Sequence, residues 1–307
     1  MRVRVDTLKV VGAPSLTAVV NCGENYIADL EDIAQKVLKV LQKQNIGFSK
    51  LAIVFKSIDK YNFKFYQIKN GYLIDNLNCG NSMIAAAIAL QKKTLSNCVS
   101  VYNIDTSMEV EVISDRERRS SYSVVISSLI NLRYTDTFME EKEIYDEHEN
   151  KFIRFTYLDI ANPYILIKAH ELGIENPTEL LNLSKKNSPF IYDRTERIRQ
   201  KIAQSLGYSH KSGLPKIAVY IINDKSIVAR TIYLNNWHNG LPVTCMITMG
   251  VYYLRKKCID SNSEVINMIS PEGKHRMKFA ISNYSIIECI IMDFVIGERL
   301  SPLIFEL

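Results

Sequence analysis

The stretch "NLNCGNSMIAAAIAL" (Asn76–Leu90) decides how the rest of the chain is read. It opens as a polar knot, with amides, a thiol and a glycine gathered around Cys79. From Met83 onward it holds only apolar side chains, many of them small. A helix that is apolar on every side belongs inside a fold. The knot therefore falls at the first turn of a buried helix, where backbone N–H groups lack helical acceptors and the dipole is positive. A glycine there lets the backbone come close to a ligand. Such a turn holds a carboxylate or phosphate without a charged side chain. A thiol in the same place is a candidate acid, base or nucleophile. The plainer alternative is that Asn78 or Asn81 caps the helix and Cys79 fills space.

Strand-like segments rich in β-branched and aromatic residues surround this stretch, at 16–22, 50–57, 63–70, 98–105 and 108–114. Between the first two, "ADLEDIAQKVLKVLQKQN" (28–45) has apolar residues at helical spacing, and Asp29 is placed to cap it. The second half repeats the order. Strands are expected at 122–130, 152–158 and 163–168, then a helix at 193–207 and strands at 216–222 and 226–234. The apolar run "LPVTCMITMGVYYL" (241–254) follows, and then strands at 263–269, 275–282 and 286–292. "LNCGNSMIAAAIAL" and "LPVTCMITMGVYYL" share their outer leucines, a cysteine and a Met-Ile pair, with the cysteines two residues and the Met-Ile pairs one residue out of register. An α+β fold of two similar halves follows, each a set of strands around one apolar helix. The boundary is expected near the charged stretch 115–121.

Composition excludes several classes. The chain has 307 residues, 47% of them hydrophobic and 23% charged, which suits a globular protein with room for two domains. Its net charge of +5 is dispersed, and the densest basic cluster, Arg116–Arg119, is interrupted by Glu117, so no nucleic-acid partner is expected. Cysteines at 22, 79, 98, 245, 258 and 289 form no C-x-x-C pair, and no Cys/His pair has zinc-site spacing, so no metal site is expected. "MRVRVDTLKVVG" has no signal-peptide core and no run is long enough to span a bilayer, so a cytoplasmic, non-membrane protein with reduced thiols is expected. No dinucleotide fingerprint or phosphate loop is present. His148, His170, His210 and His275 have no partner at useful spacing, and Met83, Met246, Met249, Tyr252 and Tyr253 read as core.

Taken in order, the segments resemble the 2-methylaconitate cis–trans isomerase (PrpF) family, within the diaminopimelate-epimerase-like fold. "LNCGNSMIAAAIAL" resembles that family's N-C-G-N helix start, and "SKLAIVF" (49–55) its S-K-x-A-I-V strand. "VSVYNIDT" (99–106), "TYLDIANPYILIKAHELGI" (156–174), "RIRQKIAQSLG" (197–207), "LPKIAVY" (214–220) and "WHNGLPVTCMITMGVYY" (237–253) are similar to further segments in the same order. The resemblance implies two pseudo-symmetric halves, each a curved, mostly antiparallel sheet wrapped round a central buried helix. The first would span 1–118 plus a C-terminal strand at about 297–307, the second 119–296, with the site between them. It implies cofactor-independent isomerisation of a small unsaturated carboxylic acid by proton abstraction and return. Lys50 matches the general base and Cys79 its partner thiol. Ser15, Asn78, Gly80, Asn81, Ser82, Asn162, His238, Pro242 and Thr244 match substrate-binding positions. A homodimer is left open.

A divergent, shortened member is expected, because family cations are missing. Leu16 stands where the family has a lysine and Thr17 where it has a glycine, and "IIMDFVIGERL" (290–300) replaces a basic segment. Fewer cations point to a substrate with fewer carboxylates, or to a non-catalytic member that binds a ligand or partner. Cys245, at a family glycine, opens another alternative, a two-thiol amino-acid racemase or epimerase using Cys79 and Cys245.

Overall fold

The computed structural model describes residues 2–10, 16–23, 29–43, 48–58, 60–75, 79–115, 121–209, 213–233 and 236–306. Two compact units divide the chain, Met1–Ile130 with Glu288–Leu307, and Asn131–Ile287. The first change of unit follows the strand at 121–126, beyond the charged stretch 115–121.

Unit 1 contains β1 (Arg2–Val10), β2 (Thr17–Asn21), α1 (Leu30–Lys43), β3 (Lys50–Ser57), β4 (Lys60–Lys69), β5 (Tyr72–Asp75), α2 (Gly80–Thr94), β6 (Cys98–Asn103), β7 (Glu109–Ser114) and β8 (Ser121–Ile126). Asp29 caps α1, accepting from the Asp32 N–H at 2.9 Å. One stripe of α1, Ile33, Val37 and Leu41, packs with Leu51, Ile53 and Phe55 of β3. The alternation of a strand turns Lys50, Ala52 and Val54 to the opposite face, where β3 meets α2. Every residue of α2 from Gly80 to Gln91 is buried, and the helix packs on β1, β2, β3, β4, β6 and β7.

Unit 2 contains β9 (Met139–Asp146), β10 (Lys151–Ile160), β11 (Asn162–Lys168), α3 (Pro177–Asn182), α4 (Pro189–Ser205), β12 (Lys216–Asn223), β13 (Ser226–Tyr233), β14 (Asn236–Trp237), α5 (Val243–Lys257), β15 (Ser261–Ser270) and β16 (Gly273–Ser282). Leu180, Tyr192, Ile198 and Ile202 from α3 and α4 pack with Ile165, Ile167, Ile217 and Val219 of β11 and β12. The buried pair Arg194–Asp146, 2.6 Å apart, ties α4 to the end of β9. Burial raises the Asp146 carboxyl, but the Arg194 guanidinium outweighs it and holds the group below its ordinary value. Helix α5 is buried from Val243 to Leu254 and packs on β10 and β11.

Strand β17 (Ser285–Glu306) starts in unit 2 and from Glu288 onward completes unit 1. In that unit β1–β2, β3–β4, β4–β5, β6–β7 and β7–β8 pair antiparallel, while β2–β3 and β4–β6 are parallel. β17 pairs with β8 through Ile290–Val295 and with β1 through Ile296–Glu306, so the pairings return to β1 around α2. Unit 2 repeats the plan. β9–β10, β10–β11, β12–β13, β13–β14 and β15–β16 are antiparallel, and β11–β12 and β13–β15 are parallel. Among the described residues no helix is long and apolar enough to cross a membrane.

The fit around α5 is close at Gly250. A Cβ there would lie 2.7 Å from Phe279 Cζ and 2.9 Å from Met277 Sδ, and both side chains are fully buried. Overpacking of this kind costs about 1–3 kcal/mol, against roughly 1 kcal/mol gained in helix propensity. Gly250→Ala is therefore expected to lower the urea midpoint of the folded chain. A midpoint at or above that of the parent would contradict this packing.

Candidate functional site

In unit 1 the strand register gathers polar side chains beneath the start of α2. Thr17 lies opposite Lys50 across β2 and β3, and Lys50 opposite Gln67 across β3 and β4. Exposures of 2%, 3% and 4% make this row part of the interior. Gln67 Nε2 donates to the Ser49 carbonyl. No ion pair ties Lys50 to a described residue. A buried ammonium without a carboxylate costs several kcal/mol, by the order of such penalties, and marks a functional candidate.

The row connects to the helix through hydroxyls. Ser82 Oγ donates to Cys79 Sγ at 3.2 Å, and Thr17 Oγ1 lies 3.1 Å from Ser82 Oγ. Ser82 has one hydroxyl proton, so Thr17 is the donor in the second bond. Cys79 is the N-cap of α2, half-buried, and its side chain does not cap. Its carbonyl accepts from the N–H groups of Ser82 and Met83, both at 3.0 Å. The Gly80 N–H, ahead of these, has no helical acceptor. The first turn carries no acidic residue to offset the positive helix end. Negative charge on the Cys79 sulfur or on a nearby carboxylate thus meets a hydroxyl donor and a helix terminus.

Unit 2 builds a second helix start of different chemistry. Pro242 is the N-cap of α5, and the first turn again lacks acidic residues. Tyr164 of β11 reaches Thr244, hydroxyl to hydroxyl, at 3.1 Å. Thr248 Oγ1 donates to the Thr244 carbonyl at 2.8 Å. Asn162, on the same face of β11 as Tyr164, accepts from Lys216 Nζ at 3.2 Å once its amide is turned to suit its partners. His238 is buried just beyond β14, its N–H donating to the Thr231 carbonyl at 2.7 Å.

The helix boundaries settle the register left ambiguous between the two apolar runs. α2 begins at Gly80 and α5 at Val243, so the two Met-Ile pairs occupy the same helical positions. Cys245 then corresponds to Ser82, and the counterpart of Cys79 is Pro242. Cys245 is fully enclosed, and burial pushes its thiol up to about 12, with Lys216 pulling the other way. The Cys289 thiol is likewise raised by burial. Cys98 is pushed up to about 11, by burial and then by its bond to Glu111.

Of the residues expected at a site, Lys50, Cys79, Gly80, Asn81 and Ser82 lie in unit 1, and Asn162, His238, Pro242, Thr244 and Cys245 in unit 2. Ser15 and Asn78 lie outside the described residues. Sequence alone does not single out Thr17, Gln67, Tyr164 or Lys216. Thr17 reads there only as a lost glycine, yet it bonds the first turn of α2. Among the described residues no group of three His, Cys, Asp or Glu side chains is placed to hold a metal ion.

No protein-family model and no curated protein matches the sequence. Solved structures do. The crystal structure of a methylitaconate-delta-isomerase aligns over 99% of this chain and 95% of its own, at 16% identity and a TM-score of 0.64. A hydroxyproline epimerase from Agrobacterium vitis, solved with trans-4-OH-L-proline bound, aligns over 99% and 91%, at 10% identity and a TM-score of 0.67. A phenazine biosynthesis protein of the PhzF family from Enterococcus faecalis aligns over the full length of both chains, at 12% identity and a TM-score of 0.56. At these identities the likeness establishes the fold, which is the diaminopimelate-epimerase-like fold of two sheet-and-helix units.

Proposed function

We propose that this protein is a cofactor-independent isomerase of a small unsaturated carboxylic acid. The observation that carries the reading is Lys50, buried in a polar row and without an ion pair to any described residue, beside a helix start that bears a half-buried thiol. Lys50 takes a proton from a carbon next to the alkene through the lone pair of its amine, breaking a C–H bond and forming N–H. The electron pair delocalises through the alkene into the carboxylate, where the α2 amides favour the added charge. The Cys79 thiol returns a proton to the carbon chain, and solvent restores both groups. Return at the far carbon migrates the double bond, and return after rotation gives the cis–trans isomer. Sharing a fold with an isomerase and an epimerase supports proton transfer at carbon.

The two-thiol alternative asks Cys245 to act as a base, and an enclosed thiol pushed up to about 12 stays protonated at neutral pH. Cys245→Ala is expected to keep turnover within about threefold, whereas Cys79→Ser loses about a hundredfold or more, the scale of a general acid. With a thiol reagent at pH 8, Cys245 and Cys289 react only after unfolding. Loss of turnover in Cys245→Ala equal to that in Cys79→Ser would restore the two-thiol reading.

The base is tested by proton NMR in D₂O with itaconate, citraconate, mesaconate and their methyl homologues. Wild-type protein is expected to exchange deuterium into at least one of these acids and to interconvert it with an isomer. Lys50→Ala stops both while the circular-dichroism melt stays within a few degrees. Undiminished exchange in Lys50→Ala removes Lys50 from the mechanism. Binding without exchange in the wild type favours the non-catalytic reading.

A further inference from the structure

Unit 2 has a cavity that the proposed reaction does not use. It opens on the α5 face of the sheet, at the last turns of the helix, and holds about 300 Å³. Tyr252 and Lys256 of α5 line it, and Tyr252 lies nine residues beyond Val243, about 14 Å along the helix axis. On the sheet, pairing sets Glu143 opposite Arg154 and Glu141 opposite Thr156 across β9 and β10, and Lys168 opposite Tyr220 across β11 and β12. A second cavity, of about 470 Å³, shares Lys168, Tyr220, Tyr252 and Lys256 with the first and adds an apolar wall of Ile174, Ile221 and Ile222.

The first cavity is polar where the inner face of a helix-covered sheet is ordinarily apolar. Thr156, Glu171, Tyr220 and Tyr252 line it and are buried. The Thr156 hydroxyl has no hydrogen bond to a described residue. The Tyr220 and Tyr252 hydroxyls are 2.7 Å apart. Two phenols joined by one hydrogen bond keep one O–H to give. Burial first, then Tyr252 and the Glu141 and Glu171 carboxylates, raise the Tyr220 phenol, so both carboxylates act on this cavity. Most of the charges cancel in pairs. Lys256 pairs with Glu141, Arg154 with Glu171 at 2.8 Å, and Lys142 with Glu140 at 2.8 Å. Lys168 and Glu143 remain, one of each sign, without an ion pair to a described residue. Strand alternation puts them on the same face, two strands and so roughly 10 Å apart at the backbone, and their long side chains narrow that gap.

We infer that this is a second small-molecule site, and that it takes a zwitterion with an apolar body, namely a free α-amino acid with an aliphatic side chain. The ligand's carboxylate pairs with Lys168 and its ammonium with Glu143. Its side chain lies against Ile174, Ile221 and Ile222. Lys168 borders both cavities, which puts the charged head where polar walls give way to apolar ones. A ligand with a single charge leaves either Lys168 or Glu143 unanswered, whereas a zwitterion answers both with charge-assisted bonds. Apolar walls with a few placed polar groups are the usual make-up of a small-molecule site. Every residue in this statement belongs to unit 2, and the binding does not rest on the isomerase reading.

The test is calorimetric titration of the full chain with leucine and with two analogues that each lack one charge, isoamylamine and isocaproate. Leucine is expected to saturate with a dissociation constant in the millimolar range or below. Each analogue binds about tenfold or more weakly, the worth of one charge-assisted bond. Glycine, which keeps both charges and lacks the side chain, is also weaker than leucine. Lys168→Ala and Glu143→Gln each weaken leucine about tenfold or more. Both side chains are exposed at the rim, so both variants keep the parent's melting temperature. Lys168→Ala also narrows the gap between leucine and isoamylamine, and Glu143→Gln the gap between leucine and isocaproate, changes that a general loosening of the fold does not produce. No saturable leucine binding, an analogue that matches leucine, or leucine affinity unchanged in either variant overturns the inference.

Discussion

An α-helix with no polar face has to be enclosed on all sides, and in this chain that demand falls on α2 and α5. Each is buried from its first residue through most of its length. Leaving one Ile, Leu or Met of such a helix in water forfeits roughly 1.5–3 kcal/mol, so a single exposed stripe would consume much of a domain's net stability. In unit 1 the strand pairings run round α2 and return to β1. The helix then meets polar partners chiefly at its ends. At the far end, Gln91 donates to the carbonyls of Asn97 and Val112, at 3.0 and 2.6 Å. At the near end, the N–H groups without helical acceptors draw the polar residues together.

The row beneath α2 is expensive by the same accounting. Apolar residues at 17, 50 and 67 would pack against α2 without desolvating a hydroxyl, an ammonium and an amide. Hydroxyl and amide bonds offset part of that cost for Thr17 and Gln67. Lys50 has no such offset from a described residue. A site that encloses a lysine with no ion pair to a described residue, at the floor of an anion-favouring helix start, is best explained by a ligand or a proton in transit.

Much of this is legible in the chain itself. β3 runs over 50–57 as its β-branched pattern predicts, and α1 takes the predicted Asp29 cap, because periodicity and capping are local signals. β1 is less so, since the alternation in "RVRVDTLKV" breaks at Asp6–Thr7, where its pairing with β17 also shifts register. β9, "MEEKEIYD", is largely exposed and hydrophilic, so nothing in its composition stands out. At the site, Cys79 and Lys50 can be singled out by type. Thr17, Gln67 and Tyr164 cannot, because their role comes from cross-strand register, a relation between distant segments.

The register of the two helices bears on the kind of reaction as well as on the repeat. Matching the opening leucines puts two cysteines near each other in the alignment and invites a symmetric pair of thiols. Matching the helix starts instead sets Cys79 against Pro242 and Ser82 against Cys245. One thiol is then half-buried at an N-cap, and the other is enclosed one turn in. Racemisation interconverts mirror images, so it calls for matched acid–base groups acting on opposite faces of one carbon. Isomerisation of an alkene moves a proton between unlike atoms and has no such symmetry to satisfy. A chain that keeps the duplicated scaffold but sets a proline where the half-buried thiol of unit 1 would be repeated has unequal equipment, which suits the second reaction better than the first.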